Sequence, residues 1–137
     1  MTADNAFHPL LEDIAAIVHP RPEPPTGVAL DGDVAEAYST ALAEVSAART
    51  SLMDDLSAAW RAEDTDPLLT ALANARARKE RAEAEIRALV AYGREVVRPR
   101  SYTLNSLAVA SGMSFSGVRT VYGEADVHAA RAGREDR

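Results

Sequence analysis

The stretch "EDTDP", Glu63 to Pro67, separates two long segments of the chain in which apolar residues recur every three or four positions. Asp66 is a favoured residue for a helix N-cap, and Pro67 suits the first helical position because its missing N–H leaves no helical hydrogen bond unmade. The segment before this stretch contains no glycine or proline from Asp33 to Ala62. One helix is therefore expected to end here and another to begin at Pro67.

Both segments have the apolar periodicity of long amphipathic helices. The first helix is predicted to run from Asp33 to about Ala62, which is roughly 45 Å at 1.5 Å per residue. The second is predicted to run from Pro67 to about Val97. The apolar positions are Val34, Tyr38, Ala41, Val45, Ala48, Leu52, Leu56 and Trp60 in the first segment and Leu69, Leu72, Ala75, Ala82, Ile86, Leu89 and Val96 in the second.

Folding the second helix back on the first across the short turn aligns the two apolar stripes. The expected fold class is therefore all-α, with a long antiparallel helical hairpin followed by a small C-terminal unit. Both helices keep further apolar positions outside these stripes, so the N-terminal helix or a second copy is expected to cover them. A homodimer with a four-helix, coiled-coil-like arrangement is the expected assembly. The expected neighbours are Trp60 with Leu69, Leu56 with Leu72, Leu42 with Ile86, and Tyr38 with Leu89 and Val90.

The first 32 residues combine a short helix with a linker. Apolar residues between Leu10 and Ile17 have helical spacing and predict an amphipathic helix that begins near His8 or Pro9 and docks on another element. The following "HPRPEPPTG", His19 to Gly27, contains four prolines. Because proline removes backbone donors and favours extended conformers, this stretch is interpreted as a linker.

The composition of the 137 residues excludes several classes of protein. The chain has no cysteine, which excludes disulfides and thiolate metal sites. No apolar run approaches the ~20 residues that are needed to span a bilayer. The N-terminus lacks the order of a secretory signal, so a cytoplasmic protein with no membrane partner is expected. The three histidines are far apart, and acidic pairs such as Asp54 and Asp55 fit a solvated helix face. Neither an enzyme nor a bound metal or cofactor is expected.

The formal net charge of −6 conceals an asymmetry along the chain. Residues 1–93 carry 8 basic and 16 acidic side chains, whereas residues 94–137 carry 7 basic and 5 acidic ones. Affinity for DNA comes mainly from the neutralisation of phosphates by basic side chains. The C-terminal segment is therefore the part of the chain suited to nucleic acid.

A helix, a tight turn and a second helix are predicted in this C-terminal segment. Thr103 is positioned as the N-cap of a helix over 104–111, and Gly112 stands where a helix ends with positive φ. Ser114 is positioned to cap a second helix over 115–122. The buried positions that this geometry implies are Leu104, Leu107, Ala108, Met113, Val118 and Val121, and all of them are apolar.

This pattern resembles the helix-turn-helix of bacterial transcription regulators, especially the lac-repressor-like family and more loosely the MerR-like and TetR-like families. The resemblance rests on Leu107 and Ala108 in the first helix, on Ser111 to Ser114 at the turn, and on Val118 in the second helix. It covers about twenty residues of the chain and is moderately specific. It implies that the helix over 115–122 is a recognition helix that enters the DNA major groove.

The resemblance also implies which residues contact DNA. Arg119 would make a bidentate contact to guanine O6 and N7. Thr103, Ser114 and the helix N-termini would hold phosphates, and the arginines before the first helix, Arg94 included, would add charge to the backbone contacts. The implied DNA-binding residues are Arg98, Arg100, Thr103, Ser114, Phe115, Ser116, Arg119 and Thr120.

Some residues depart from the family pattern or admit two roles. Phe115 stands where a polar or basic residue would contact bases, and it either meets a thymine methyl group or is a buried staple. Gly117 weakens the recognition helix. Tyr102 and Tyr122 are interpreted as core or cap residues rather than as base-stacking ones.

The sequence therefore predicts a sequence-specific DNA-binding transcription regulator with three parts. Residues 1–32 form a docking helix and linker, residues 33–98 a dimerising hairpin, and residues 99–137 a helix-turn-helix unit with its tail. The expected partners are a second copy of the chain and a palindromic site in double-stranded DNA. Two alternatives stay open: an acidic helical hairpin that docks on another protein such as polymerase machinery, and a promoter-binding module like the last region of a sigma factor.

Overall fold

The computed structural model describes residues 4–27 and 32–136, which contain helices and no strand. The contacts divide the chain into two compact units, Met1–Asn74 and Ala75–Arg137, called unit 1 and unit 2 below. The helices are α1 (Asp4–Val18), α2 (Gly32–Glu63), α3 (Pro67–Ala91), a π-helical turn (Tyr92–Val96), α4 (Leu104–Ser111), α5 (Phe115–Thr120) and α6 (Glu124–Glu135).

The break at "EDTDP" forms as the sequence predicts. Asp64 has a φ of 51°, and its N–H donates to the carbonyl of Trp60 at the end of α2. The Oδ1 atom of Asp66 accepts a hydrogen bond from the N–H of Leu69 at 3.0 Å, which caps α3. Pro67 is fully buried at the first position of that helix. The two long helices and the cap between them are therefore confirmed.

The second long helix changes its geometry in its last turn. The α-helical hydrogen bonding of α3 ends at Ala91, and residues Tyr92–Val96 form a π-helical turn. Its hydrogen bond runs from the N–H of Val97 to the carbonyl of Tyr92, five residues back. This wider turn corrects the prediction of one uninterrupted α-helix to about Val97, although the helical segment does end at the predicted place.

Unit 1 has an apolar core where α1 packs on α2. Leu11 and Ile14 from α1 meet Leu56 from α2 and Ala71 from the first turns of α3. The end of α1 is held by a hydrogen bond of 2.8 Å from the Nε atom of Arg49 to the carbonyl of His19. The predicted docking of the N-terminal helix is thus confirmed, although the helix begins at Asp4, before the expected start, and includes Pro9.

The predicted pairing of α2 with α3 is not confirmed. Leu69 and Leu72 were expected to lie against Trp60 and Leu56, but they are 64% and 58% exposed. Leu56 is covered by α1 and Ala71 instead of by Leu72. The antiparallel hairpin with matched apolar stripes therefore remains a prediction.

The middle of α3 is a solvated helix. Every residue from Leu72 to Ile86 is exposed. Two ion pairs between residues four apart lie on this surface, at 2.9 Å between Arg76 and Glu80 and at 3.7 Å between Lys79 and Glu83. Such exposed pairs contribute about 0.3–0.5 kcal/mol each to a helix. Four positions of the predicted apolar stripe, Leu72, Ala75, Ala82 and Ile86, are therefore exposed in the structure.

Candidate nucleic-acid interface

Helices α4 and α5 pack on each other in unit 2, and both are capped by the residues that the sequence indicates. The side-chain oxygen of Thr103 accepts the N–H of Ser106 at 3.1 Å, and that of Ser114 accepts the N–H of Gly117 at 3.0 Å. Gly112 ends α4 with a φ of 71°. These three local predictions are therefore confirmed. They could be made from the sequence because cap chemistry depends only on neighbouring residues.

A small apolar core underlies the two helices. Val118 of α5 is fully buried. The other positions expected in this core are partly buried, so all of them face inward to some degree. They are Leu104, Leu107, Ala108, Met113 and Val121.

Helix α5 is shorter than the predicted 115–122. It ends at Thr120, because the chain turns there to begin α6. The N–H of Gly123 donates to the Oδ2 atom of Asp126 at 2.9 Å, which starts that last helix. Tyr122 is thereby left outside α5.

Gly117 has a local role that accounts for its presence in α5. A Cβ atom at this position would lie 3.0 Å from the Oγ atom of Ser114, the atom that caps the helix. Glycine lowers the helix propensity here by about 1 kcal/mol relative to alanine, but it leaves the capping oxygen of Ser114 unobstructed.

The π-helical turn supports α4 through close backbone contact. A Cβ atom at Gly93 would lie 3.2 Å from the Cδ2 atom of Leu107, so glycine allows α4 to approach. The N–H of Tyr102 donates to the carbonyl of Gly93 at 2.9 Å. The Nη1 atom of Arg94 donates to the carbonyl of Tyr102 at 2.9 Å. Arg94, expected to add charge toward phosphates, is thus bound within the protein and is partly buried.

Two polar contacts join other elements of unit 2. The hydroxyl of Tyr122 donates to the Oε1 atom of Glu95 at 2.7 Å. The Nε atom of Arg87 lies 3.6 Å from the Oδ1 atom of Asp126, at the start of α6. Tyr122 therefore acts as a structural residue, as predicted, whereas the side chain of Tyr102 is exposed and lies outside the core.

Tyr122→Phe is expected to lower the free energy of unfolding by about 1 kcal/mol at neutral pH, because it removes one partly exposed hydrogen bond. Burial, and then the hydrogen bond to Glu95, raise the pKa of Tyr122 above its ordinary value of 10.0. A raised pKa in the folded state means that this stabilisation is fully present below the unfolded pKa and is lost as the pH rises through the folded pKa.

Chemical unfolding at neutral and strongly alkaline pH measures this effect. The Tyr122→Phe protein should lose less stability between the two pH values than the wild type loses. Tyr102→Phe is the matched control, since the hydrogen bonds of Tyr102 involve its backbone N–H and carbonyl and not its hydroxyl. Equal losses in both variants would contradict a specific role for the Tyr122 hydroxyl.

All eight residues implied in DNA contact are exposed, and five of them lie on α5 or at its cap. Successive helical residues are rotated by about 100°, so Phe115, Ser116, Arg119 and Thr120 share one side of α5, within an arc of about 140°. The fully buried Val118 lies on the opposite side. The structure thus brings together Ser114, Phe115, Ser116, Arg119 and Thr120 as one surface, called the α5 face below.

The polar groups of the α5 face differ in how they are engaged. Ser114 is used as the cap, and the hydroxyl of Thr120 donates to the carbonyl of Ser116 at 3.1 Å. Within residues 4–27 and 32–136, Arg119 forms no hydrogen bond or ion pair. Phe115 is 53% exposed, so it is not the buried staple that was one of its two possible roles. Arg119 and Phe115 are therefore available to a ligand.

The remaining implied contacts lie before α5 in the chain. Arg98 and Arg100 are exposed in the connection between the π-helical turn and α4. The Nη1 atom of Arg98 donates to the carbonyl of Val97 at 3.1 Å and lies 3.4 Å from the Oγ atom of Ser101. Thr103 is engaged as the cap of α4 and by a contact of 2.8 Å with the Oγ atom of Ser106.

Two further arginines that the sequence does not single out lie near Arg98. Arg131 and Arg134 of α6 line a pocket together with Arg98, Val96, Glu95 and Glu135. Their only signal in the sequence is the amphipathic pattern of α6, which runs from Glu124 to Glu135.

The two units have opposite charge. Unit 1 carries 3 basic and 13 acidic side chains, a net charge of −10, whereas unit 2 carries 12 basic and 8 acidic ones, a net charge of +4. Dividing the chain by its contacts thus makes the asymmetry larger than dividing the sequence at residue 93. The α5 face lies on the positive unit.

No group of acidic or histidine side chains in residues 4–27 and 32–136 is arranged to hold a metal ion. None of the described helices has the length and apolarity needed to cross a bilayer. Comparisons with protein-family models, curated protein sequences and solved structures find no match.

Proposed function

We propose that this chain is a sequence-specific DNA-binding transcriptional regulator that enters the major groove with α5. The observation that carries the proposal is the α5 face, in which exposed Phe115, Ser116, Arg119 and Thr120 lie opposite the buried Val118. A helix that is held by its buried side and exposes an unpaired arginine has what direct contact with base edges requires.

The contacts to bases and to phosphates are assigned to different residues in this proposal. Arg119 donates both guanidinium hydrogen bonds to a guanine, and Phe115 packs against a thymine methyl group. Arg98 and Arg100 neutralise phosphates, and Thr103 contacts the DNA backbone beside them. The positive charge of unit 2 supports this division of roles, while the acidic unit 1 is repelled by the duplex.

A homodimer completes the proposal. Pairing through the helices of residues 33–98 supplies two copies of the α5 face. Two such faces about 34 Å apart, one turn of B-DNA, select a palindromic site. The same proposal includes a cytoplasmic location and a bacterial type of regulator, in line with the helix-turn-helix resemblance.

The exposed apolar residues of α3 favour a second candidate, a protein-docking module. Leu68, Leu69 and Leu72 are exposed on the acidic unit 1. Large exposed apolar side chains often mark protein interfaces. In this alternative, unit 1 docks on another protein such as polymerase machinery, and the C-terminal helices either assist docking or contact a promoter as a sigma-factor-like module.

Salt dependence distinguishes DNA contact from apolar docking. With Arg98 and Arg100 on phosphates in each of two copies, the affinity for duplex DNA should fall about 100-fold for a fourfold rise in salt. Fluorescence anisotropy of the full chain with a labelled duplex measures this fall.

The control for this experiment is the double variant Arg98→Gln/Arg100→Gln, which should bind more weakly and with a shallower salt dependence. An affinity that does not change with salt would contradict the assignment of phosphate contacts. The absence of any duplex binding at low salt would contradict the proposed function and favour the docking module.

A further inference from the structure

A groove lies on unit 2 between the last turns of α3 and helix α6. Its volume is about 640 Å³. Leu89 and Tyr92 line it from α3 and the π-helical turn, and they are 59% and 41% exposed. None of the residues of the α5 face lines it. The groove is therefore separate from the α5 face, and it shares only Arg98 with the residues assigned to DNA.

Apart from Arg134, the wall that α6 contributes to the groove consists of small residues. Ala129, Ala130 and Gly133 line it together with Ala88 of α3. Small side chains reduce the distance at which the axis of another helix can pack. The groove thus combines a shallow wall with an exposed leucine and tyrosine, as expected of a surface that receives a helix.

The two ends of the groove have opposite charge. Glu85 lines one end of the groove. Arg98 and Arg134 line the other end together with Val96 and Val97. Eleven helical residues separate Glu85 from Val96, which is roughly 16 Å at 1.5 Å per residue. Arg98, Arg134 and Val96 also line the adjoining pocket with Arg131, Glu95 and Glu135, so the arginines belong to the end of the groove far from Glu85.

A groove that is acidic at one end and basic at the other is complementary to itself when reversed. A two-fold axis reverses the direction of the second copy, so each residue contact occurs twice. With the axis near Tyr92, Glu85 of each copy meets Arg134 of the other. Leu89 of each copy then lies toward Val96 of the other.

We propose that a second copy of this chain docks in the groove, with α3 and α6 of the two copies packed about a two-fold axis near Tyr92. This inference rests on the dimer of the proposed function and adds α6, which lies outside residues 33–98, to the surface that pairs the two copies. The pairing itself needs no DNA. A measurement of mass without DNA therefore tests it separately from any failure of DNA binding.

The test is sedimentation equilibrium of the full chain and of matched charge variants in the absence of DNA. The wild type should be a dimer. Glu85→Arg alone and Arg134→Glu alone each place like charges in contact at two symmetric points, so each should raise the dissociation constant of the dimer at least about tenfold. The double variant Glu85→Arg/Arg134→Glu restores opposite charges and should return to within about threefold of the wild type.

Arg81→Glu is the control, since it makes the same charge change as Arg134→Glu at an exposed position of α3 that does not line the groove. It should leave the dissociation constant within about threefold of the wild-type value. Circular dichroism checks that all variants keep their helix content, and the recovery of the double variant excludes misfolding as the cause of the single losses.

Three results would overturn this proposal. One is a wild-type mass of a single chain at all concentrations, which would leave the groove to a different protein. Another is a dimer that neither single variant weakens, which would place the pairing elsewhere on the chain. The last is a double variant no better than the two single ones.

Discussion

Arg119→Ala is expected to remove sequence-selective DNA binding while leaving the fold and the oligomeric state of the protein unchanged. Arg119 is exposed on the α5 face, and no hydrogen bond or ion pair ties it to the rest of the described chain. Its loss therefore costs no internal contact. A bidentate contact from arginine to guanine contributes about 1–3 kcal/mol of discrimination, so selectivity should fall roughly 5- to 150-fold for each half-site.

Arg119→Lys is the informative control for this prediction. Lysine keeps the positive charge but loses the planar pair of donors that matches guanine. We expect Arg119→Lys to retain most of its affinity for unrelated duplexes and to lose selectivity, whereas Arg119→Ala should lose selectivity and part of the unspecific affinity as well. Anisotropy titrations with a preferred duplex and a scrambled one measure both quantities. An unchanged ratio of the two affinities in both variants would exclude Arg119 from the site.

Leu56→Ala is expected to lower the free energy of unfolding of unit 1 by about 2–4 kcal/mol. Leu56 is 2% exposed and lies among Leu11, Ile14 and Ala71. Truncation removes its buried methyl groups and leaves a cavity that these neighbours fill only in part. The three helices that meet at Leu56 should then lose protection together.

Denaturant unfolding followed by circular dichroism, with hydrogen exchange to assign the change to unit 1, measures this loss. Ile17→Ala is the matched control, because Ile17 is a branched apolar residue of α1 that is 79% exposed. Its substitution should change stability by less than about 0.5 kcal/mol. Similar effects of the two substitutions would contradict the core described for unit 1.

The local features of the fold could be predicted because they depend on short-range chemistry. The caps at Asp66, Thr103 and Ser114 and the positive φ of Gly112 each involve residues within three positions of one another. The two long helices follow from periodicity and from the absence of breaking residues. These elements therefore agree with the sequence to within a few residues.

The partners of the helices could not be predicted in the same way. Periodicity identifies an apolar stripe but not the element that covers it, and the stripes of the two long helices matched in register. In the structure, α1 and Ala71 cover Leu56, while Leu69 and Leu72 stay exposed. The match between two stripes was thus consistent with a hairpin without requiring one.

The candidate site shows the same division between local and distant contacts. The exposure of Arg119 and the burial of Val118 follow from their positions on a capped helix. The hydrogen bond from Arg94 to the carbonyl of Tyr102 depends on the π-helical turn and on the close approach at Gly93. No pattern in the sequence indicates that turn, so Arg94 was assigned to DNA instead of to the protein.

Selection of binding sites from a pool of random double-stranded DNA by the full chain tests the central claim, that α5 contacts bases in the major groove. We predict enrichment of a palindromic site whose half-sites each contain a guanine and have centres about 10 base pairs, one helical turn, apart. The same selection with Arg119→Ala should lose the preference at that guanine and retain little preference at other positions of the site. A pool that stays random after selection with the wild-type chain would contradict the account.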